Sequence, residues 1–250
     1  MLNYNELGLE LDRLVRLKTP ALGSKLFKKA EDIPSACEVI KEDVMVCQVI
    51  GMARYNETAV AATRDSATAC AMRGASLGLY APPQNMLDGT RNAGAWAEDA
   101  RAAKKLMEGR VLIETGTFEA FAVCPLKSAP FEPDVIQAFG TPEQMLSFVY
   151  ANIMDGGKRV ELCTNGHGGS CNEVLSVPYV TGDIRLAIAD IGERRHAGAG
   201  DEMIVGLPAA RLERMVTNMK KAYHAIYKYP HKPYFAPVPE PVLKRVSTKY

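Results

Sequence analysis

In the run NYNELGLELDRLVRL, apolar residues recur at three- and four-residue intervals. This spacing predicts a helix over residues 3–17 with Leu7, Leu11, Leu14 and Val15 on one face. Pro20 stops it, and TPALGSKLF reads as a short strand. SACEVIKEDVMVCQVIGMARYN reads as one or two helical segments, with Ser35 as the cap and Val39, Ile40, Val46, Cys47 and Ile50 as apolar content. ETAVAATRD, rich in β-branched and small residues, predicts a strand; a helix then starts at Ser66 and ends at APPQNM. The alanine-rich GTRNAGAWAEDARAAKKLMEG predicts another helix, and VLIETGTFEAFAVCPL reads as two strands around Thr115 and Gly116 or as one bulged strand. PDVIQAFG is a strand. TPEQMLSFVYANIMDGG is a well-punctuated helix, with Thr141 as cap, Pro142 at the first helical position and Gly156 and Gly157 closing it. The strand KRVEL, a glycine loop, a helix from about Ser170, the strands DIRLAIADI and EMIVGLP and the helix AARLERMVTNMKKAYHAIY follow.

This order mixes ββ and βα steps, and no GxGxxG or GxxxxGK[ST] string occurs. The fold class expected is therefore α/β in the α+β sense: a mixed, partly antiparallel sheet covered by helices. No clean linker interrupts residues 1–226, which read as one domain. Residues 227–250, rich in proline and tyrosine, read as an extended tail that docks on a protein partner or a second copy of the chain. There is also an internal echo. A strand precedes Cys70 and another precedes Cys171, each cysteine opening a helix, so the chain reads as two pseudo-repeated halves.

Composition removes several classes of partner. The chain has 250 residues, 24% of them charged, and a net charge of +1, which gives no electrostatic case for nucleic acid or an anionic membrane. No apolar run approaches the ~20 residues of a spanning helix, and the N-terminus carries acids where a signal peptide needs an apolar region. A soluble, cytoplasmic protein is expected. Six cysteines in 250 residues are too few for a disulfide scaffold, and no CxxC pair is present. Cys37, Cys124 and Cys163 lie in or beside apolar runs and read as buried structural residues.

The densest chemistry lies in TNGHGGSC, residues 164–171. Gly166, Gly168 and Gly169 permit a backbone nest that faces an anion or a cluster sulfide; His167 could ligate, donate a hydrogen bond or simply sit exposed on the loop. Cys171, at a helix start, sits in a field that favours its thiolate. Cys70 has a similar context, with Arg64 and Arg73 nearby, and packing among alanines is the equal alternative. Cys47 reads as core when taken alone. Together, Cys47, Cys70 and Cys171 could hold a metal or a [4Fe–4S] cluster with one position open as a Lewis acid. In ADIGERRHAGAGDEM, Arg194 and Arg195 offer an anion clamp, unless Glu193, Asp201 and Glu202 neutralise them in a solvated loop.

Four stretches carry a resemblance: CQVIGMARYNETAVAATRDSATACAMRGASLGL, CPLKSAPFEPDVIQAFGTPEQMLSFVYA, GHGGSCNEVLSVPYVTGDIRLAIADIGERR and DEMIVGLPAARLERMV. Across residues 20–220 the chain resembles the DUF169 family of uncharacterised proteins. The resemblance implies family cysteines at Cys47, Cys70 and Cys171 and a basic pair at Arg194 and Arg195. Many members carry a cysteine and glycines just before that pair, where this chain has Asp190. The family's prevalence in anaerobes makes an oxygen-labile cluster reasonable, and its description supplies no reaction. The first expectation is thus a metalloprotein. An iron–sulfur cluster or other thiophilic metal sits on Cys47, Cys70 and Cys171, and His167, Gly168, Gly169, Arg194 and Arg195 hold a small anion for redox or Lewis-acid chemistry. The alternatives are a metal-free thiol enzyme with Cys171 or Cys70 as nucleophile, and a non-catalytic subunit that docks through its tail.

Overall fold

The computed structural model describes residues 3–164 and 166–227, so the expectation for the tail lies outside the described residues. In chain order the elements are α1 (Tyr4–Val15), β1 (Leu22–Phe27), β2 (Glu38–Ile40), α2 (Val46–Tyr55), β3 (Val60–Thr63), α3 (Arg73–Ser76), α4 (Gln84–Leu87), α5 (Ala100–Glu108) and β4 (Ala120–Pro125). There follow β5 (Val135–Gly140), α6 (Pro142–Ile153), β6 (Glu161–Cys163), a wide i→i+5 helix (Gly169–Ser176), α7 (Val177–Thr181), β7 (Arg185–Ala187), β8 (Met203–Pro208) and α8 (Leu212–Tyr227).

The strands form one mixed sheet of order β2-β3-β4-β1-β5-β8-β7-β6, in agreement with the expected fold class. The order reads the same from either edge. β2 and β6 pair in parallel with β3 and β7, and every other neighbour is antiparallel, including the central β1–β5 pair. Strands β1–β4 thus repeat as β5–β8, in the order and sense that a two-fold axis normal to the sheet between β1 and β5 would generate. The two halves are repeats, but the correspondence of cysteines differs from the sequence reading. Cys47 lies in the helix between β2 and β3, and Cys171 in the helix between β6 and β7, so these two are the counterparts. Cys70 follows β3, and its counterpart region follows β7, where Asp190 stands.

Alternation along the strands sorts two cores. Leu22, Leu26, Phe121, Val123, Val135 and Phe139 face α2 and the wide helix, while Ile136, Ala138, Val205 and Leu207 face α1, α6 and α8. The wide helix lies directly on β8: a Cβ at Gly206 would stand 2.0 Å from the Val174 carbonyl oxygen. Buried Gln137 fixes its start, accepting from Ser24 Oγ (3.1 Å) and donating to the Ser170 carbonyl (2.7 Å). Gly206→Ala is expected to lower stability by at least about 1–3 kcal/mol through overpacking, read as a lower thermal midpoint with the far-ultraviolet dichroism retained.

Several boundaries differ from expectation for local reasons. No helix starts at Ser66. Its hydroxyl accepts from the Thr63 amide, and Tyr80 Oη caps the carbonyls of Ala67 (2.7 Å) and Cys70 (3.2 Å), so residues 64–72 form turns and the helix is confined to Arg73–Ser76. Ser35 lies in a turn rather than capping a helix, and β2 and α2 follow separately. The alanine-rich helix begins only where Asp99 accepts from the Ala102 amide (2.8 Å). Residues 111–116 form no strand, because Ile113 and Gly116 donate to carbonyls of the α3 turn, Ser76 and Gly78. α6 has the Thr141 cap and Pro142 start read from its sequence, with Gln144 completing a capping box.

Candidate functional site

On the α2 side of the sheet, the turn after β3, the segment around α4 and α5, the glycine loop and the segment after β7 enclose a cavity of about 240 Å³. Its wall combines Cys70, Arg73, Asn92, Arg110, His167 and Asp190 with the side chains of Met45, Met72 and Met86. Arg73 stands at the centre. Its Nη2 donates to both carboxylate oxygens of Asp190 (3.1 and 2.9 Å), and its Nη1 donates to Cys47 Sγ. Asp190 Oδ2 also accepts from the Gly168 amide (2.7 Å) and Oδ1 from the Glu193 amide (2.8 Å). Burial works against the Asp190 charge, but Arg73 and these amides outweigh it and hold its pKa below the ordinary aspartate value. Glu193 lies deeper, accepting from the amide and hydroxyl of Ser170 (2.9 and 2.7 Å), and burial beside Asp190 raises its pKa.

With Arg73 and Asp190 paired, the wall has two further cations, the exposed Arg91 and, deeper, Arg110. This side chain is buried, and its Nε and Nη1 have no hydrogen-bond partner among the described residues. Asn92 Nδ2, on the same wall, has none either. A buried guanidinium without an acceptor forfeits solvation that nothing in the described protein restores. Gly168 makes the arrangement possible. Its φ of +76° is left-handed, and a Cβ there would stand 3.0 Å from Arg110 Nη1 and 3.3 Å from Cys171 Sγ.

His167 packs edge-to-face on Trp96, ring centroids 4.4 Å apart. Burial first, and then repulsion from Arg110, lower its pKa below 6.5, so it is neutral at pH 7. The sign for stability follows. Below pH 6.5 the unfolded chain takes up a proton that the folded chain refuses, so His167 costs stability as pH falls until its own lower pKa is reached. Trp96 is the single tryptophan of the chain. Its emission is expected to titrate with a midpoint below pH 6.5, and His167→Gln should abolish that transition.

The three candidate cysteines share one electrostatic neighbourhood, since Cys70 acts on both Cys47 and Cys171, and Arg73 feels the latter two. Their settings differ. Cys70 is half-exposed on the cavity wall, while Cys47 and Cys171 are buried among aliphatic residues. Burial pushes the Cys47 thiol up to about 12 and raises Cys171 well above the ordinary thiol value. As a nucleophile, Cys171 is thus a neutral thiol inside the core, and of the two candidates only Cys70 faces the cavity. Among the described residues no three His, Cys, Asp or Glu side chains are grouped to hold an ion, and a guanidinium already contacts Cys47. Arg194 is committed to the carbonyls of Ala189, Ala199 and Gly200 (3.1, 3.0 and 3.0 Å). Arg195 is exposed and does not line this cavity. Gly169 faces the Ile188 carbonyl and Glu193 instead of the cavity.

The family model for DUF169, uncharacterised ArCR proteins, matches residues 10–218. The chain belongs to the DUF169 family. An uncharacterised protein of Methanocaldococcus jannaschii, MJ0308, is 28% identical over 211 residues, covering 83% of this chain and 89% of that protein. No solved structure matches. In this DUF169 chain Asp190, where the resemblance places a cysteine in many members, serves as the carboxylate that holds Arg73 and the Gly168 amide. Sequence reasoning had placed Arg73 near Cys70 but missed Arg110, Asn92 and Trp96. Arg110 follows a charged helix in EGRVLIE, and nothing in that string separates it from a surface arginine.

Proposed function

We propose that this DUF169 protein binds a small anionic molecule, bearing a carboxylate or phosphate, in the cavity between Arg110 and Arg73. The observation that carries the reading is the buried Arg110 guanidinium with two nitrogens lacking acceptors among the described residues. An anion there would accept charge-assisted hydrogen bonds, with Asn92 Nδ2 as a further donor. The two arginines are not equivalent in this role. Arg73 is neutralised by Asp190 and shapes the wall, whereas Arg110 supplies a buried unbalanced charge. His167 and the Cys70 thiol border the same space, so a bound molecule would lie against both.

Calorimetric titration with phosphate, acetate and succinate at low ionic strength tests the reading. Saturable binding of at least one is expected, and no saturable heat from any would contradict it. Alkylation gives a second check. Iodoacetamide should modify Cys70 and the half-exposed Cys163, and the bound anion should slow modification of Cys70 alone, as read by peptide mass spectrometry.

An iron–sulfur cluster on Cys47, Cys70 and Cys171 is a second reading, supported by the shared electrostatic neighbourhood of the three thiols. It requires Arg73 to leave Cys47, and no chemical step is derived from it. Anaerobic reconstitution followed by a visible spectrum tests it. A colourless protein that nevertheless binds anions would favour the first reading.

A further inference from the structure

A second space, of about 550 Å³, adjoins the first and shares Trp96, His167 and Asp190 with it. Its remaining wall is mostly aliphatic, from Ala97, Ala102, Leu106, Ala189 and Ile191, with Gly166 and Arg194 beside them. The aromatic pair at 4.4 Å stands where the two spaces meet. Exposure points the same way. Trp96 is 50% exposed and Ile191 62%, large apolar surfaces left open along this wall. The donors without acceptors among the described residues, on Arg110 and Asn92, thus line the inner space alone, while Arg194 on the outer wall is held by three carbonyls of its own loop. Such a division suits a ligand whose two ends differ in the same way.

We infer that the ligand is an elongated amphiphile, with its anionic head at Arg110 in the inner chamber and an unbranched or aromatic apolar body running past the Trp96–His167 pair into the outer chamber. This inference rests on the anion-binding reading and adds the ligand's shape and polarity. In it, Trp96 and His167 form a collar at the junction of head and body. Asp190, neutralised by Arg73, presents no net charge to the passing chain.

Two homologous series test the inference: straight-chain carboxylates from acetate to octanoate, and alkyl monophosphates from methyl to octyl, titrated into the full chain by calorimetry. Affinity is expected to rise by about fourfold per added methylene over the middle of a series and then level off as the outer chamber fills. Trp96 emission should shift with the six- and eight-carbon ligands and less with the two-carbon ones. Ala102→Trp, at an exposed position of α5, narrows the outer chamber and should flatten the dependence on chain length; Leu106→Glu should do the same. A flat series in the wild-type protein, with the short anions binding, would overturn the amphiphile inference and leave the anion site standing. A chain-length dependence that persists in Ala102→Trp would overturn it too, since the body would then lie elsewhere. Failure of both series to bind at all would remove the anion site and the inference together.

Discussion

Arg110→Met is expected to reduce anion affinity by about 100-fold or more while leaving the ligand-free protein as stable as the wild type, or more stable. The two effects have one cause. In the ligand-free chain the guanidinium is buried with Nε and Nη1 unpartnered among the described residues, so its charge costs stability that methionine, of similar length and apolar, does not. With an anion present, the same nitrogens would form charge-assisted hydrogen bonds worth about 1.5–3 kcal/mol each, and losing two gives the expected factor. A merely structural arginine would behave in the opposite way: its removal would lower the thermal midpoint and change affinity little. Thermal unfolding and calorimetry on the same preparations separate the two cases.

Glu202→Gln is expected to cost about 3–5 kcal/mol of folding stability. Arg54, on α2, is 1% exposed, and its Nη2 and Nη1 meet the two Glu202 oxygens at 2.6 and 2.8 Å. Its Nε donates to Thr19 Oγ1 (2.7 Å), Nη1 donates to the Ala197 carbonyl (2.5 Å), and the guanidinium lies over the Phe139 ring at 4.3 Å. Burial opposes the Glu202 charge, but the Arg54 hydrogen bonds hold its pKa below the ordinary glutamate value. That stability is present at neutral pH and is lost as pH falls through the lowered pKa. The single substitution strands the Arg54 charge in the core. The double variant Arg54→Met/Glu202→Leu removes both charges and should recover most of the loss, so a denaturant-based double-mutant cycle should show strong coupling. Additive losses would mean that the pair is solvated.

Much of the fold could be read from the chain because local signals and tertiary packing agree. The α6 cap at Thr141 and the alternation in VIQAFG and EMIVGLP needed no long-range information. The repeat was legible, but the correspondence of its cysteines was not. Cys70 and Cys171 both follow strand-like strings, and only the pairing of β2 with β3 and of β6 with β7 shows that Cys47 and Cys171 occupy the same place in the two halves. The loop around His167 and Gly168 was found because glycines beside a histidine and a cysteine are unusual at a strand–helix junction. Arg194 looked like a ligand clamp because its commitment to three carbonyls of its own loop is invisible in sequence. Arg110 was missed for the converse reason: burial and the lack of an acceptor are properties of the fold, and a lone arginine after a helix carries no signal of either.

The central claim is that an anion belongs on Arg110, and anomalous diffraction from a crystal soaked in selenate tests it most directly. The account predicts a selenium peak inside the cavity, with selenate oxygens at about 2.7–2.9 Å from Arg110 Nε and Nη1. Selenate ordered only elsewhere, with the Arg110 guanidinium satisfied by water or by protein, would contradict it.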